Sequence, residues 1–230
     1  MWPEVQVAKS EQRHELVLQG RDLSERIDSS AGAVDDNIFS LGSVKSDLVI
    51  YKSKNCNFYN DLNGMISHVS PVKLNFLELS DSHLNVLPNT LGKLVQLTSL
   101  VLKGNKLTSL PESVNSLTKL KLLDVSNNQI SSLSEVSSLN MLTTLNLAVN
   151  SLEGELDIPG LEQCEKLSVV DVSGNKLTSL GSLQSGKFPH LFEVVANHNQ
   201  LEYLAPDIAD NWALIKRLLI ELFHSDHVNY

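Results

Sequence analysis

The chain has 230 residues, a formal net charge of −9 at pH 7, and a composition that is 42% hydrophobic but only 5% aromatic. The acidic balance excludes unspecific affinity for phosphate backbones or anionic lipid surfaces, because such affinity requires clustered Lys and Arg. The aliphatic composition favours one elongated domain over two globular domains.

The N-terminal part, residues 1–43, is predicted to form a helical cap. Residues 3–18 are rich in polar side chains with isolated apolar positions, which favours a helix, and a second short helix is expected near residues 23–27. A degenerate first repeat is placed at residues 44–73, with a strand at residues 48–51. These two parts are expected to close the N-terminal end of the region that follows.

The middle of the chain, residues 74–213, contains six copies of an eleven-residue pattern, L-x-x-L-x-L-x-x-N-x-L. Successive copies begin 23, 23, 22, 25 and 24 residues apart. They begin at Leu74, Leu97, Leu120, Leu142, Leu167 and Leu191. Self-similarity at this period is the signature of a leucine-rich repeat, in which each coil shares its core with its neighbours. The pattern predicts an α/β leucine-rich repeat solenoid, with a curved parallel sheet on the concave side and short helices or turns on the convex side.

Asn occupies the ninth position of the pattern in five copies, at Asn105, Asn128, Asn150, Asn175 and Asn199. Its amide offers both donors and an acceptor to backbone groups of the turn that would otherwise be buried without partners. The five residues are therefore predicted to form a structural Asn ladder. Ser82 fills this position in the first copy and has fewer donors, so weaker hydrogen bonding is expected there.

The C-terminal part, residues 214–230, departs from the pattern. A strand is expected at residues 215–220, but Leu222 and Phe223 stand where a polar turn and its Asn belong. Two interpretations stay open, a degenerate cap or a truncated gene product with an open hydrophobic edge. An open edge predicts self-association at this end.

The positions that flank the second leucine of each copy are expected to project from the concave face. They combine acidic and apolar side chains, with one basic exception at Lys103. Acidic groups favour a partner with a basic surface, and the apolar groups would supply desolvated contact area. The same acids oppose nucleic-acid binding, because they would repel phosphates. The predicted partner-binding residues are Phe76, Glu78, Val101, Lys103, Leu122, Asp124, Asn146, Val169, Asp171, Glu193 and Val195.

Residues suited to catalysis or metal binding are isolated in the sequence. His224, Asp226 and His227 have a spacing compatible with a metal site, but they lie in a predicted frayed tail without an evident third ligand position. His198 is interpreted as a concave contact or a solvated residue, and the acids of the longer fourth coil, residues 151–160, as a solvated face. We expect no enzymatic activity, no metal and no cofactor.

The two cysteines, Cys56 and Cys164, are separated by more than four coils of the predicted solenoid, so a disulfide between them is not expected. Neither has a basic neighbour that would activate its thiol. No apolar run approaches the length of a membrane span, and residues 1–4 lack the pattern of a secretory signal. The sequence therefore predicts a reducing intracellular compartment, the cytosol or the nucleus, and the cytoplasm is the preferred location.

The non-repeat residues carry a family resemblance. The sequences WPE at residues 2–4, QRHELVLQG at 12–20 and LSER at 23–26 resemble the N-terminal flank of the leucine-rich repeat-containing protein 47 family, and YLAPDIA at 203–209 resembles its late repeats. The resemblance covers most of the chain, up to about residue 217. It implies that further repeats and a module similar to the phenylalanyl-tRNA synthetase beta subunit follow in longer members.

The preferred functional hypothesis is a non-catalytic protein–protein interaction scaffold that binds its partner on the concave face. The alternative is a fragment of a translation-associated protein, whose RNA- or aminoacylation-linked chemistry would lie in a C-terminal module beyond this sequence. A third hypothesis, regulation of a phosphatase or small GTPase, rests on analogy between folds alone.

Overall fold

A computed structural model of the chain describes residues 15–19, 50–54, 74–133, 136–185, 187–204 and 216–222. Nine strands of these residues form one sheet in the order β1-β2-β3-β4-β5-β6-β8-β10-β11, and every neighbouring pair is parallel. They are β1 (Glu15–Gln19), β2 (Ile50–Lys54), β3 (Phe76–Ser80), β4 (Ser99–Val101), β5 (Leu122–Asp124), β6 (Thr144–Asn146), β8 (Val169–Asp171), β10 (Glu193–Val195) and β11 (Arg217–Leu219). This is the sheet of a leucine-rich repeat solenoid, as predicted.

The register of the sheet aligns the same pattern position in every coil. Leu77 pairs with Leu100, which pairs with Leu123. These leucines are 0% exposed. The first, second, third and fourth leucine positions of each copy face one continuous aliphatic core that runs the length of the solenoid. Since a single coil cannot bury its own leucines, burial by the neighbouring coils is the main source of stability.

The convex side consists of turns and short helices. Three 3₁₀ helices lie there, at Asn89–Lys93, Glu112–Ser116 and Leu161–Gln163. Pro88 and Pro111 precede the first two, where extended backbone is required and no N–H group is needed. An α-helix, α1, spans Gly181–Ser185. Within the described ranges, no helix has the length and hydropathy to cross a membrane.

The longer fourth coil forms a second sheet that the sequence did not predict. Strand β7 (Glu153–Glu155) pairs in parallel with β9 (Lys176–Ser179), with an irregular register between Gly154 and Glu155. Glu153, Glu155 and Asp157 are all exposed. The predicted solvated face is thus a short strand.

The helix predicted over residues 3–18 is wrong where the structure describes it, because Glu15–Gln19 is strand β1. Leu16 aligns with Tyr51 of β2, which aligns with Leu77 of β3. Hydrogen bonding to the edge of the sheet therefore overrides the local preference for helix. The remainder of the predicted cap, including residues 23–27, lies outside the described residues.

The two strands predicted outside the repeats are displaced by a few residues. The strand expected at residues 48–51 lies at Ile50–Lys54, and the strand expected at residues 215–220 lies at Arg217–Leu219. An isolated bridge joins Leu201 to Leu222, at the eleventh pattern position of the last coil. Phe223 and the residues after it lie outside the described part.

Candidate functional site on the concave face

Two rows of side chains project from the concave face across the strands. We call the residues at the third pattern position the first row and those at the fifth position the second row. The first row is Phe76, Ser99, Leu122, Thr144, Val169 and Glu193, and the second row is Glu78, Val101, Asp124, Asn146, Asp171 and Val195. All of them are half-buried, whereas Lys103 follows β4 and is exposed. The structure thus brings the predicted partner-binding residues onto one surface.

Three members of the second row also cap their own turns. Asp124 Oδ1 accepts a hydrogen bond from the backbone N–H of Ser126 at 2.9 Å, and Asn146 Oδ1 accepts one from Ala148 at 3.0 Å. Asp171 Oδ1 accepts from both the N–H and the hydroxyl of Ser173, at 2.9 and 2.6 Å. One oxygen of each carboxylate is therefore committed to the backbone, and sequence reasoning missed this role.

Glu78 is held in a related way. The Ser80 hydroxyl donates to Glu78 Oε1 at 3.0 Å, and Ser80 itself is buried. Each of the three second-row acids is consequently oriented by a group two residues further along the chain. Such fixation lowers the conformational entropy that a side chain loses on binding.

The carboxylates of the concave face differ in their pairing. Glu193 forms an ion pair with Arg217 of β11, at 3.0 Å between Oε1 and NH1. Among the described residues, no Lys, Arg or His lies within ion-pair distance of Glu78, Asp124 or Asp171. Asp124 and Asp171 therefore carry the negative charge at the centre of the face, whereas Glu78 is the register partner of Lys52 in β2 and Glu193 is paired with Arg217.

The Asn ladder joins consecutive coils through the turn behind the sheet. Asn105 Oδ1 accepts from the N–H groups of Ser82 and Leu84 in the preceding coil, at 3.0 and 3.1 Å. Its Nδ2 donates to the carbonyls of Leu79 and Leu102, at 2.7 and 2.8 Å. Equivalent bonds recur at Asn128, Asn150, Asn175 and Asn199. The Ser82 hydroxyl donates within its own coil, to Ser80 O at 2.8 Å.

The residue before each ladder position adopts a left-handed backbone. Gly and Asn, which tolerate this conformation, fill several of these places. The residues are Asp81, Gly104, Asn127, Val149, Gly174 and His198, with φ of 52°, 73°, 54°, 54°, 64° and 57°. Val149 is the exception, because a β-branched side chain is strained there, and it is 52% exposed.

The remaining titratable candidates do not assemble into a reactive centre. Burial, assisted by the charge of Glu162, raises the pKa of the Cys164 thiol from 9.0 to about 11, and the sulfur contacts the carbonyls of Val136 and Leu139. This thiol is free and stays protonated near neutral pH. His198 lies 3.4 Å from Glu221 on the exposed surface, rather than in a cavity.

Side chains that could ligate a metal do not cluster within the described ranges. These ranges contain no group of three or more His, Cys, Asp or Glu side chains that could hold a metal ion. His224, Asp226, His227 and Cys56 lie outside the described residues. A depression of about 390 Å³ lies on the convex side, lined by residues such as Val86, Pro88 and Pro111, and none of its lining residues is titratable.

Comparison with known proteins agrees with this geometry. Residues 95–140 match the family model described as Leucine Rich repeats (2 copies). The chain folds as a leucine-rich repeat solenoid. No curated protein matches it.

Solved structures share the solenoid. The leucine-rich effector protein YopM from Yersinia pestis is similar over 78% of this chain and 46% of its own, with 25% identity and a TM-score of 0.56. The leucine-rich repeat ectodomain of GASSHO1/SCHENGEN3 from Arabidopsis thaliana, in complex with CASPARIAN STRIP INTEGRITY FACTOR 2, has 24% identity and a TM-score of 0.55, over 78% of this chain and 22% of that one. The Arabidopsis receptor kinase HAESA, in complex with the peptide hormone IDA and the co-receptor SERK1, has 24% identity and a TM-score of 0.56, over 78% and 31%. The chain thus spans less than half the length of each solved chain.

Proposed function

We propose that the concave face of the solenoid binds another protein and that the chain acts as a non-catalytic interaction scaffold. The observation that carries the proposal is the second row, where Glu78, Asp124 and Asp171 present carboxylates that form no ion pair within the described part of the chain. Half-buried apolar side chains of the first row lie directly beside them. A surface that combines oriented charge with apolar contact area favours a partner of complementary chemistry.

The chemistry of the partner follows from the charges. A basic surface would be attracted by the second row, whereas nucleic acid and anionic lipid would be repelled by it. The buried free thiol of Cys164 is compatible with a reducing compartment, so we place the interaction in the cytoplasm as part of the proposal.

The test compares two triple variants that each convert three carboxylates into amides. The concave variant is Glu78→Gln, Asp124→Asn, Asp171→Asn, which retains the turn-capping oxygen of each side chain. The control is Glu153→Gln, Glu155→Gln, Asp157→Asn in the exposed fourth coil. Both have the same net charge, so a difference between them reports position and not charge.

We expect a protein captured from cell lysate by the wild type and the control variant to be lost from the concave variant. The same protein, once purified, should bind the wild type directly and more weakly at high salt. Equal capture by both variants would remove the concave face from consideration. Circular dichroism and denaturation midpoints of both variants serve to exclude unfolding.

Self-association through β11 is a second candidate, favoured by a separate observation. Leu218 occupies the register position of Leu77, Leu100 and Leu123, which are 0% exposed, but it is 37% exposed itself. Leu219 and Leu222 are 40% and 44% exposed. If the edge of β11 pairs with a second copy of the chain, we expect a dimer whose population rises with concentration. Analytical ultracentrifugation measures this dimer, and Leu218→Lys should abolish it.

The translation-linked alternative has no support among the comparisons. Its family resemblance rests mainly on the N-terminal flank, which lies outside the described residues except for Glu15–Gln19. Membership of the leucine-rich repeat-containing protein 47 family stays a prediction of the sequence.

A further inference from the structure

The chemistry of the concave face alternates over coils 1 to 5. We number the coils by their first leucines, so that coil 1 begins at Leu74 and coil 6 at Leu191. Coils 1, 3 and 5 each carry an apolar first-row residue beside an acidic second-row residue. The three pairs are Phe76 with Glu78, Leu122 with Asp124, and Val169 with Asp171.

The coils between them carry a different chemistry. Coil 2 presents Ser99 and Val101, and coil 4 presents Thr144 and Asn146, so neither adds a negative charge. The exposed Lys103 also belongs to coil 2. A cation placed opposite coil 2 would therefore meet a like charge, whereas a cation opposite coil 1, 3 or 5 would meet a carboxylate.

The alternation defines a distance. Neighbouring parallel strands lie about 4.8 Å apart, so acids in every second coil repeat at about 9.6 Å along the solenoid. The apolar residues of the first row repeat with the same period, because they occupy the same three coils. A ligand that follows this surface must present a cation and an apolar group once in every repeat of this length.

A polyproline II segment has the matching period. It rises about 3.1 Å per residue with three residues per turn, so equivalent side chains recur at about 9.3 Å on one face. A β-strand returns to the same face at about 6.7 Å or 13 Å, and an α-helix returns after seven residues, at about 10.5 Å. Over the two periods between Glu78 and Asp171, the polyproline II mismatch stays within about 1 Å, whereas the helical mismatch reaches about 2 Å.

We propose that the concave face binds a polyproline II segment of a partner protein that carries a Lys or Arg at every third residue, next to an apolar residue. The cations pair with Glu78, Asp124 and Asp171, and the apolar side chains contact Phe76, Leu122 and Val169. The third residue of each turn faces solvent. This inference rests on the proposed function of the concave face and specifies the partner that the face selects.

The orientation of the acids supports selection by spacing. Asp124 and Asp171 each commit one oxygen to a backbone N–H group, and Glu78 accepts from Ser80, so the three side chains keep fixed positions. Fixed carboxylates discriminate between ligands of equal charge by geometry. A carboxylate held in place cannot reorient toward a cation that lies out of register with it. The backbone carbonyls of a polyproline II ligand have no internal partners and stay available to donors such as Asn146 Nδ2.

The test uses synthetic nine-residue peptides and the full chain. The matched peptide is (Lys-Leu-Pro)₃, and the control has the same composition with its three lysines adjacent, Lys-Lys-Lys-Leu-Pro-Leu-Pro-Leu-Pro. Binding is measured by isothermal titration calorimetry at low and physiological salt. We expect the matched peptide to bind about tenfold more tightly, because the control loses two of three ion pairs that are each worth about three- to fivefold.

Two variants locate the site. Asp124→Asn removes the middle carboxylate but keeps the turn cap, and it should weaken the matched peptide about three- to fivefold while leaving the control peptide nearly unchanged. Leu122→Ser should weaken the matched peptide without changing the salt dependence of its binding. The Glu153→Gln, Glu155→Gln, Asp157→Asn variant should bind both peptides as the wild type does.

The outcomes separate this inference from the proposed function. Equal affinity for the two peptides would mean attraction by net charge and would overturn the spacing argument. If neither peptide binds but the concave triple variant still loses a protein partner, the polyproline II ligand is wrong and the concave interface stands. If the concave variant also retains every partner, both proposals fail together.

Discussion

Asx side chains occur at two pattern positions, the ninth in five coils and the fifth in coils 3, 4 and 5, and they form different hydrogen bonds. At the ninth pattern position, Asn105 is 7% exposed and bridges two coils with both its donor and its acceptor. At the fifth position, Asp124 is half-buried and caps a backbone N–H group only two residues away. The bridge between coils requires an amide, which both donates and accepts hydrogen bonds, whereas the turn cap requires only an oxygen that accepts one.

This difference explains which position is free to vary. The ninth position holds Asn in five of six coils, because Asp lacks the donors and Ala lacks both groups. The fifth position holds Glu, Val, Asp and Asn in different coils, since its bond is local and its other side faces solvent. The residue type can therefore vary at the fifth position at a smaller cost to the stability of the scaffold than at the ninth.

The largest expected effect is at the buried member of the pair. Asn105→Ala removes the side-chain partner of the Ser82 and Leu84 N–H groups and of the Leu79 carbonyl inside the solenoid, whereas the Leu102 carbonyl keeps its bond from Asn128 Nδ2. We expect the free energy of unfolding to fall by about 3 kcal/mol, the scale for unsatisfied buried polar groups. Urea denaturation followed by circular dichroism measures the change.

The control for this variant is Asn115→Ala. Asn115 also bridges two coils, but through one bond, from Ser138 N–H to its Oδ1 at 3.0 Å, and it is half-buried. Its loss should cost about 1 kcal/mol. Equal losses for the two variants would contradict the distinction between a bridging network and a single cap.

A smaller effect is expected at the concave member. Asp171→Ala removes the acceptor of the Ser173 N–H and hydroxyl groups and should lower the free energy of unfolding by about 1 to 1.5 kcal/mol. Asp171→Asn keeps that acceptor and should be nearly neutral, as Asn146 already performs the same role in the preceding coil. Thermal denaturation of the pair decides the matter, and a loss in Asp171→Asn as large as in Asp171→Ala would refute the turn-cap role.

The same contrast shows how far the sequence alone could lead. The leucine period and the amide at the ninth position predict the solenoid, because the leucines recur in every coil and the amide recurs in five of the six. The turn caps at the fifth position are not predicted by the sequence. Asp, Asn and Glu can each accept this local hydrogen bond, so no single residue type recurs there. The sequence therefore predicts the position of Asp124 and Asp171 on the concave face and their negative charge, but not their role as turn caps.

The errors at the N-terminal side have a related cause. The polar composition of residues 3–18, with isolated apolar positions, predicts a helix, yet residues 15–19 pair with β2 as a strand. Parallel pairing is a long-range property, and no leucine pattern marks it here. The β7–β9 sheet was missed for the same reason, since its partners lie in different coils.

The smallest effect, and the one with opposite sign, is expected at Val149, the residue before Asn150. Its φ of 54° is strained for a β-branched side chain, whereas Asn127 adopts the same φ in the preceding coil with a residue that tolerates it. Val149→Asn should therefore raise the free energy of unfolding by about 1 kcal/mol, and the reciprocal Asn127→Val should lower it by a similar amount. Chemical denaturation measures both.

The alternative for this position is that packing compensates the strain. A Cβ atom added at Gly174 would lie 3.2 Å from Val149 Cγ2, so this side chain lies against the next coil. If Val149→Asn destabilises the protein, the contact of Val149 with the next coil outweighs the backbone strain. The left-handed residues would then, like the Asn ladder, stabilise the packing of one coil on the next. If Val149→Asn stabilises the protein without changing partner binding, the backbone strain has no role in binding. The residue type before the Asn ladder is then as free to vary as the residue type at the fifth position.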